Sequence, residues 1–366
     1  MALKAAGGHG GNVHAAARDL RRPIESLLDF SASVNPLGPS PNVLRALDEG
    51  MRLIRHYPDP DSVRLRLILA SRWKLAPEQF VIANGSTELI DLIPRALGIR
   101  SALIVGPTFS EYGSALHRAG AKDRHVRAAR QDGYRPPLEE VVDCFRSGRK
   151  NGRRPEAVFL CNPNSPTGQA CDQNGLTRLL KEVDRFGAWM VLDETFVEYC
   201  HELSQLPSVS RYPRLIVLRS FTKFYALPGL RIGYSVSSAR TAALLRQYQP
   251  PWSVNVLAQR AAEAAIRDQI HARRSRAYLR RERHRFAKAL SSLPGLRLFP
   301  SRANFLLLEL PKPCRAGAVA AELGRRGLLI RDCSLVPGLT PRTIRVAVRS
   351  RNDNNRLVAA LAKLLR

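Results

Sequence analysis

Six short apolar runs recur through the first two thirds of the chain, and they restrict its fold more than any other feature. They are FVIAN (80–84), SALIVG (101–106), AVFLCN (157–162), WMVLDE (189–194), LIVLRS (215–220) and RIGYSV (231–236). Near-continuous apolar strands separated by helical patterns predict an α/β fold with a mostly parallel sheet covered on both faces. In such sheets ligands collect at the carboxyl ends of the strands. The polar residues that follow each run are therefore the candidates for function.

Beyond about residue 250 the pattern changes. A helical region (255–293) precedes the strand candidates NFLLLEL (304–310), LLIRDC (328–333) and TIRVAVR (343–349), and NRLVAALAKLL closes the chain as a helix. That order predicts a smaller α+β domain. At 366 residues the chain exceeds one ordinary core. The expected division is an N-terminal arm with part of the small domain over 1–40, a large domain over 41–265 and a C-terminal small domain over 266–366. The Pro-rich VNPLGPSPNV (34–43) reads as the crossing between them.

No run approaches the ~18–20 consecutive apolar residues of a membrane span, and the first twenty residues lack a signal-peptide core. A soluble, cytoplasmic protein with no membrane partner is the expectation. The six cysteines form no CxxC pair and no zinc spacing, so reduced thiols and no metal site are expected. Lys and Arg number 58 against 31 acids, a net charge of +27. Such an excess favours nucleic acid, anionic surfaces or phosphorylated small molecules as partners. No zinc finger or RNP motif supports the first of these, so a basic nucleic-acid-binding protein is the weaker alternative. The Arg-rich ARRSRAYLRRERHRFAKAL (272–290) is expected as an exposed helix without a partner.

The strand ends carry the chemistry. FVIAN leads into Gly85, Ser86 and Thr87, a turn that opens a helix; such a start binds anions, although Ser and Thr also serve as plain caps. WMVLDE supplies Asp193, which alone would read as a cap. LIVLRS ends at Ser220, followed by Thr222, Lys223 and, past a Pro-Gly turn, Arg231. A lysine there can condense with a carbonyl if burial or nearby cations keep its amine partly neutral; in isolation a snorkelling lysine is equally good. Together these residues are the equipment for pyridoxal 5′-phosphate. The aldehyde would join Lys223, the phosphate would take the helix start and Arg231, and Asp193 would pair with the ring nitrogen.

The blocks CNPNSPTG, VLDETFVEY and RSFTKFYALPGLRIGY resemble those of fold-type I pyridoxal-phosphate enzymes, in the histidinol-phosphate aminotransferase branch. Narrower blocks, HGGNVHAAARDL, LLDFSASVNPLGPSP, QYQPPWSVNVLA and SRANFLLLEL, resemble the L-threonine-O-3-phosphate decarboxylases of cobalamin biosynthesis. The resemblance implies a large sheet domain, a small α+β domain and a homodimer. It implies that Lys223 holds the cofactor and shuttles protons, with Asp193 on the ring nitrogen. Gly85, Ser86, Thr87, Ser220, Thr222 and Arg231 would hold the cofactor phosphate, Phe109 would stack on the ring, and Tyr57 would reach the phosphate in the neighbouring subunit. Arg345 would bind the substrate carboxylate through its planar fork. Arg331, with His9, Gly10, Ser33 and Asn35, would meet the rest of a small phosphorylated amino acid.

Three departures stand out. Ser165 replaces the usual Asn before PTG, and Phe196 replaces a frequent Tyr. Both should weaken hydrogen bonding to the cofactor's 3-oxygen, because one side chain is shorter and the other has no donor. Ser33 stands where the decarboxylases often carry Asn. The implied reaction is decarboxylation of O-phospho-L-threonine to (R)-1-amino-2-propanol O-2-phosphate, with histidinol-phosphate aminotransferase activity as the alternative.

Overall fold

The computed structural model describes residues 10–147 and 154–365. After a two-residue strand β1 (Leu28–Asp29), the chain builds a central sheet. Its strands are β2 (Phe80–Ala83), β3 (Ser101–Gly106), β4 (Lys122–Arg127), β5 (Ala157–Cys161), β6 (Trp189–Asp193), β7 (Leu215–Ser220) and β8 (Gly233–Val236). In space they lie in the order β2-β8-β7-β6-β5-β3-β4. The pairings from β4 through β7 are parallel, while β8 runs antiparallel to both β2 and β7.

Both faces of this sheet are buried, which is why its strands read as apolar runs. Because successive side chains on a strand point to opposite faces, Leu103 and Val105 join one hydrophobic cluster with Val158, Leu192 and Val217. Ala102 and Ile104 join the other, with Phe159, Val191 and Ile216. β4 escaped the sequence pattern. Its residues KDRHVR bury only Val126, as suits an edge strand, where charged side chains discourage pairing with another chain.

A second sheet comprises β9 (Arg297–Leu298), β10 (Phe305–Glu309), β12 (Arg331–Asp332) and β13 (Thr343–Ala347), all antiparallel in the order β12-β13-β10-β9. Between them in the chain, β11 (Leu328–Leu329) pairs in parallel with β1 instead. The segment LLIRDC is thus split at Ile330 between two sheets. The Arg-rich segment lies in helix Gln269–Ser291, and it is not wholly exposed as expected. Leu279, Glu282, Phe286 and Leu290 turn inward, while Arg273, Arg274, Arg280 and Arg281 face out.

Among the described residues no helix is long and apolar enough to cross a membrane. Nor does any group of His, Cys, Asp and Glu among them suit a metal ion. The six cysteines are free thiols.

Candidate active site

A cavity of about 660 Å³ opens at the carboxyl ends of the central strands. From that sheet come Ser86 and Thr87 after β2, Phe109 after β3, Ser165 after β5, Asp193 on β6, and Thr222, Lys223 and Arg231 after β7. From the other side come Gly10, Ser33, Arg331 and Arg345. Residues spread over more than 300 positions of sequence therefore face one space.

The helix Ser86–Ala96 begins at this cavity, so its first N–H groups point where an anion would sit. Gly85 precedes it with φ +80°, and a Cβ there would lie 2.6 Å from an Arg231 guanidinium nitrogen. Only glycine accepts both the backbone conformation and that approach. Arg231 is itself left-handed, at φ 57°, and Nη1 donates to the Pro228 carbonyl at 3.1 Å. Ser220 stands just behind this cradle: its hydroxyl oxygen lies 2.8 Å from Thr222 Oγ1 and also accepts the Thr222 N–H at 3.2 Å.

Lys223 shares the cavity with these cations. Burial lowers its amine to about 8, and the positive charges of Arg345 and Arg231 push the same way, against the opposing effect of Asp29 and Asp193. The lysine is thereby partly neutral near physiological pH, the condition for attack on a carbonyl. Asp193 is buried at the end of β6 and is held by two donors. Tyr112 Oη donates to Oδ2 at 2.7 Å and the Thr195 N–H to Oδ1 at 2.9 Å. Tyr112 also meets Phe109 edge-to-face at 5.8 Å. Neither Tyr112 nor Thr195 was singled out from the sequence, although both were within reach. Tyr112 lies about one helical turn beyond Phe109, and Thr195 lies two residues beyond Asp193.

Arg345 belongs to β13 and is the direct cross-strand partner of Arg331 on β12. Its guanidinium donates to Ser165 Oγ at 2.9 Å and to the Ser31 carbonyl at 2.7 Å, and lies 4.9 Å over the Phe305 ring. Phe196 packs edge-on against the same ring, so the residue that cannot donate is part of an apolar wall. Gly10 lies so near that a Cβ on it would come 2.4 Å from the Ser31 carbonyl oxygen. Gly11 N–H donates to Ser31 Oγ at 2.8 Å, which ties this segment to the site.

Two expected residues do something else or lie elsewhere. Asn35 does not line the cavity: its amide donates to the Phe224 carbonyl and Ser275 Oγ, both at 2.9 Å, and its oxygen accepts from Leu37. Its own N–H donates to the Lys223 carbonyl at 2.9 Å, so it braces the lysine loop from behind. Tyr57 lies on the surface, 82% exposed, its ring tilted at 33° against Trp252 with centroids 4.9 Å apart. His9 falls outside the described residues.

The sequence profile named Aminotransferase class I and II matches residues 25–361. The chain belongs to this family. Among curated relatives of this class I and II chain, the threonine-phosphate decarboxylase of Salmonella typhimurium is 39% identical, covering 98% of this chain and 96% of that protein. Solved structures similar to it include L-threonine-O-3-phosphate decarboxylase from Porphyromonas gingivalis, at 28% identity and TM-score 0.80 over 92% of this chain and 98% of that one. The histidinol-phosphate aminotransferase from Clostridium acetobutylicum is also alike in fold, at 27% identity and TM-score 0.86 over 93% of this chain and 99% of that one.

The residues fit pyridoxal 5′-phosphate. A glycine-based anion cradle, a partly neutral lysine and a buried carboxylate line one cavity, and so do residues whose buried polar atoms lack partners. Those atoms are Ser33 Oγ, Thr195 Oγ1 and Arg345 Nε.

Proposed function

We propose that the protein is a pyridoxal 5′-phosphate-dependent decarboxylase. Its substrate is O-phospho-L-threonine and its product (R)-1-amino-2-propanol O-2-phosphate, a step of cobalamin biosynthesis. The observation that carries this reading is the pairing of Arg331 and Arg345, cross-strand partners lining the same cavity as Lys223 and Asp193. Such a site can grip a substrate that is anionic at two ends, a carboxylate and a phosphate, around a central amine.

When bound, the cofactor supplies a ring that accepts the electron pair freed at the substrate's α-carbon. The chain's own groups do the rest. Lys223 Nζ would hold the cofactor aldehyde, and its amine, lowered to about 8, would carry the proton delivered at the substrate's α-carbon. Asp193, fixed by Tyr112 and Thr195, would pair with the ring nitrogen. Ser86, Thr87, Thr222 and Arg231 take the cofactor phosphate, with the Gly85 turn and Ser220 supporting them. Phe109, which lines the cavity, would cover one face of the ring. Arg345 orients the substrate carboxylate, and Arg331 with Ser33, Gly10 and His9 receives the substrate phosphate.

The test is to supply O-phospho-L-threonine to the loaded enzyme and trap CO₂ while following the amino-propanol phosphate. The likeness in fold to a histidinol-phosphate aminotransferase keeps a second arm in the experiment. Absent CO₂ release, with amino transfer from histidinol phosphate to 2-oxoglutarate, assigns the protein to that activity instead.

The same reading includes a homodimer in which Tyr57 reaches the neighbouring subunit's cofactor phosphate. Its exposure supports this, as does that of nearby Met51, Leu53 and Ile54. It also includes a cytoplasmic location and a domain boundary near residue 265. Helix Val256–Arg267 packs on Pro41–Gly50 and Val63–Trp73, whereas Gln269–Ser291 packs on Arg351–Leu364, which supports that boundary. Light scattering, cell fractionation and limited proteolysis test these three points.

A further inference from the structure

Of the cavity-lining residues with an unpartnered buried polar atom, Ser33 and Arg345 already have a role in the substrate reading. Thr195 has none. It is 8% exposed, lines the cavity, and its Oγ1 has no hydrogen-bond partner among the described residues. Its own N–H holds the Asp193 carboxylate at 2.9 Å, which fixes the residue beside the group expected to meet the ring nitrogen. The following residue, Phe196, is pinned against Phe305. The hydroxyl is therefore held at the cavity by neighbours on both sides.

A buried hydroxyl without a partner weakens a fold, and valine offers nearly the same shape without that cost. A threonine kept at such a position has a partner that arrives later. Phe196 has no donor to offer, and Ser165 Oγ already accepts from Arg345.

Resting on the cofactor reading above, the geometry points to Thr195 Oγ1 as a hydrogen-bonding contact for the bound cofactor, beside Asp193. The cofactor would supply the partner that this hydroxyl lacks among the described residues.

The experiment compares wild type, Thr195→Val and Thr195→Ser as full-length, cofactor-free proteins. Each is titrated with pyridoxal 5′-phosphate by absorbance, and each is melted without cofactor. Valine should weaken cofactor binding roughly tenfold, as expected for one lost hydrogen bond, while its cofactor-free Tm stays level or rises by roughly 1–3 °C. Serine should recover most of the affinity. Equal affinity in the valine variant overturns the inference, and so does a lower cofactor-free Tm, which would make the hydroxyl structural. A wild-type protein that binds no pyridoxal 5′-phosphate would instead overturn the cofactor reading on which this rests.

Discussion

Tyr112 and Asp193 are joined by a hydrogen bond of 2.7 Å from the phenol to the carboxylate, formed between residues 81 positions apart and both buried. The tyrosine therefore ties the end of β6 to the helix Glu111–Arg118, and the same ring abuts Phe109. One side chain braces two of the groups expected around the cofactor. Burial, together with the charge of Asp193, raises the Tyr112 phenol well above its usual value, so it stays a donor at any working pH.

Tyr112→Phe keeps the ring and removes the donor. Hydrogen bonds to buried charged groups contribute about 1.5–3 kcal/mol. The variant should melt several degrees lower and bind pyridoxal 5′-phosphate more weakly, by thermal denaturation and absorbance titration respectively. A variant equal to wild type in both would mean that the backbone N–H of Thr195 suffices to hold the carboxylate.

Lys223 makes a prediction about pH. Its amine is lowered to about 8 from an ordinary 10.5. The neutral amine is the nucleophile, so the rate at which cofactor-free protein takes up an aldehyde should rise through a midpoint near 8. Arg345 is the largest charge acting on this amine after burial itself, so Arg345→Met should move the midpoint upward. The stability effect has the opposite look. Between pH 10.5 and 8 the unfolded lysine binds the proton that the folded one resists, so stability falls as pH drops through that window and levels off below it. Lys223→Met should therefore raise the cofactor-free Tm at pH 7 and leave it nearly unchanged above pH 11.

A third prediction concerns the charges behind the site. Arg219, next to Ser220 on β7, donates to Glu194 at 2.9 Å and to Glu198 at 2.7 Å, and all three are almost fully buried. Glu194 adjoins Asp193, so this cluster backs the strand ends that present the site. Removing one partner of a buried ion pair strands the others and costs about 3–5 kcal/mol. Arg219→Met should lose soluble yield or melt far lower, and Arg219→Lys should recover little, since a single ammonium cannot span both carboxylates and Ser204 Oγ.

The sequence exposed the parts of this protein whose cause is local. Six apolar runs correspond to β2, β3 and β5 to β8, because burial on both faces writes itself into consecutive residues. β4 is hidden by its charges, and LLIRDC is divided by the pairing of β11 with β1, some 300 residues away in the chain. The site follows the same rule. The cavity positions of Lys223, Asp193, Ser86 and Arg231 were legible because each sits at or near a strand end: Ser86 and Lys223 follow β2 and β7, Asp193 closes β6 and Arg231 precedes β8. Asn35 sat in a recognisable block, yet its duties are set by Phe224 and Ser275, and no local pattern carries those partners. Tyr112 gains its meaning from a carboxylate oxygen 81 positions away, which only the folded chain brings near, whereas Thr195, two residues past Asp193, is a local signal.

The last prediction turns on Arg331 and Arg345. Residues directly opposite on neighbouring antiparallel strands put their side chains on one face, within about 5.5 Å at Cβ, where like charges repel. Burial lowers the Arg345 guanidinium, and the charge of Arg331 acts the same way against the opposing effects of Cys333 and Asp29. A substrate with two anionic groups would meet both guanidiniums, and a substrate with one would meet only one of them. Arg331→Gln should therefore raise KM for O-phospho-L-threonine by about 10- to 100-fold, the range of a charged hydrogen bond, with a smaller change in kcat. It should also erase most of the preference over unphosphorylated threonine, and with it inhibition by inorganic phosphate. Arg345→Lys should behave differently. Its single ammonium cannot hold both Ser165 and Ser31 while gripping a carboxylate, so kcat should fall along with kcat/KM for every substrate. Steady-state kinetics with the two amino acids separates these outcomes; equal losses on both substrates from Arg331→Gln would remove the phosphate from its assigned end of the cavity.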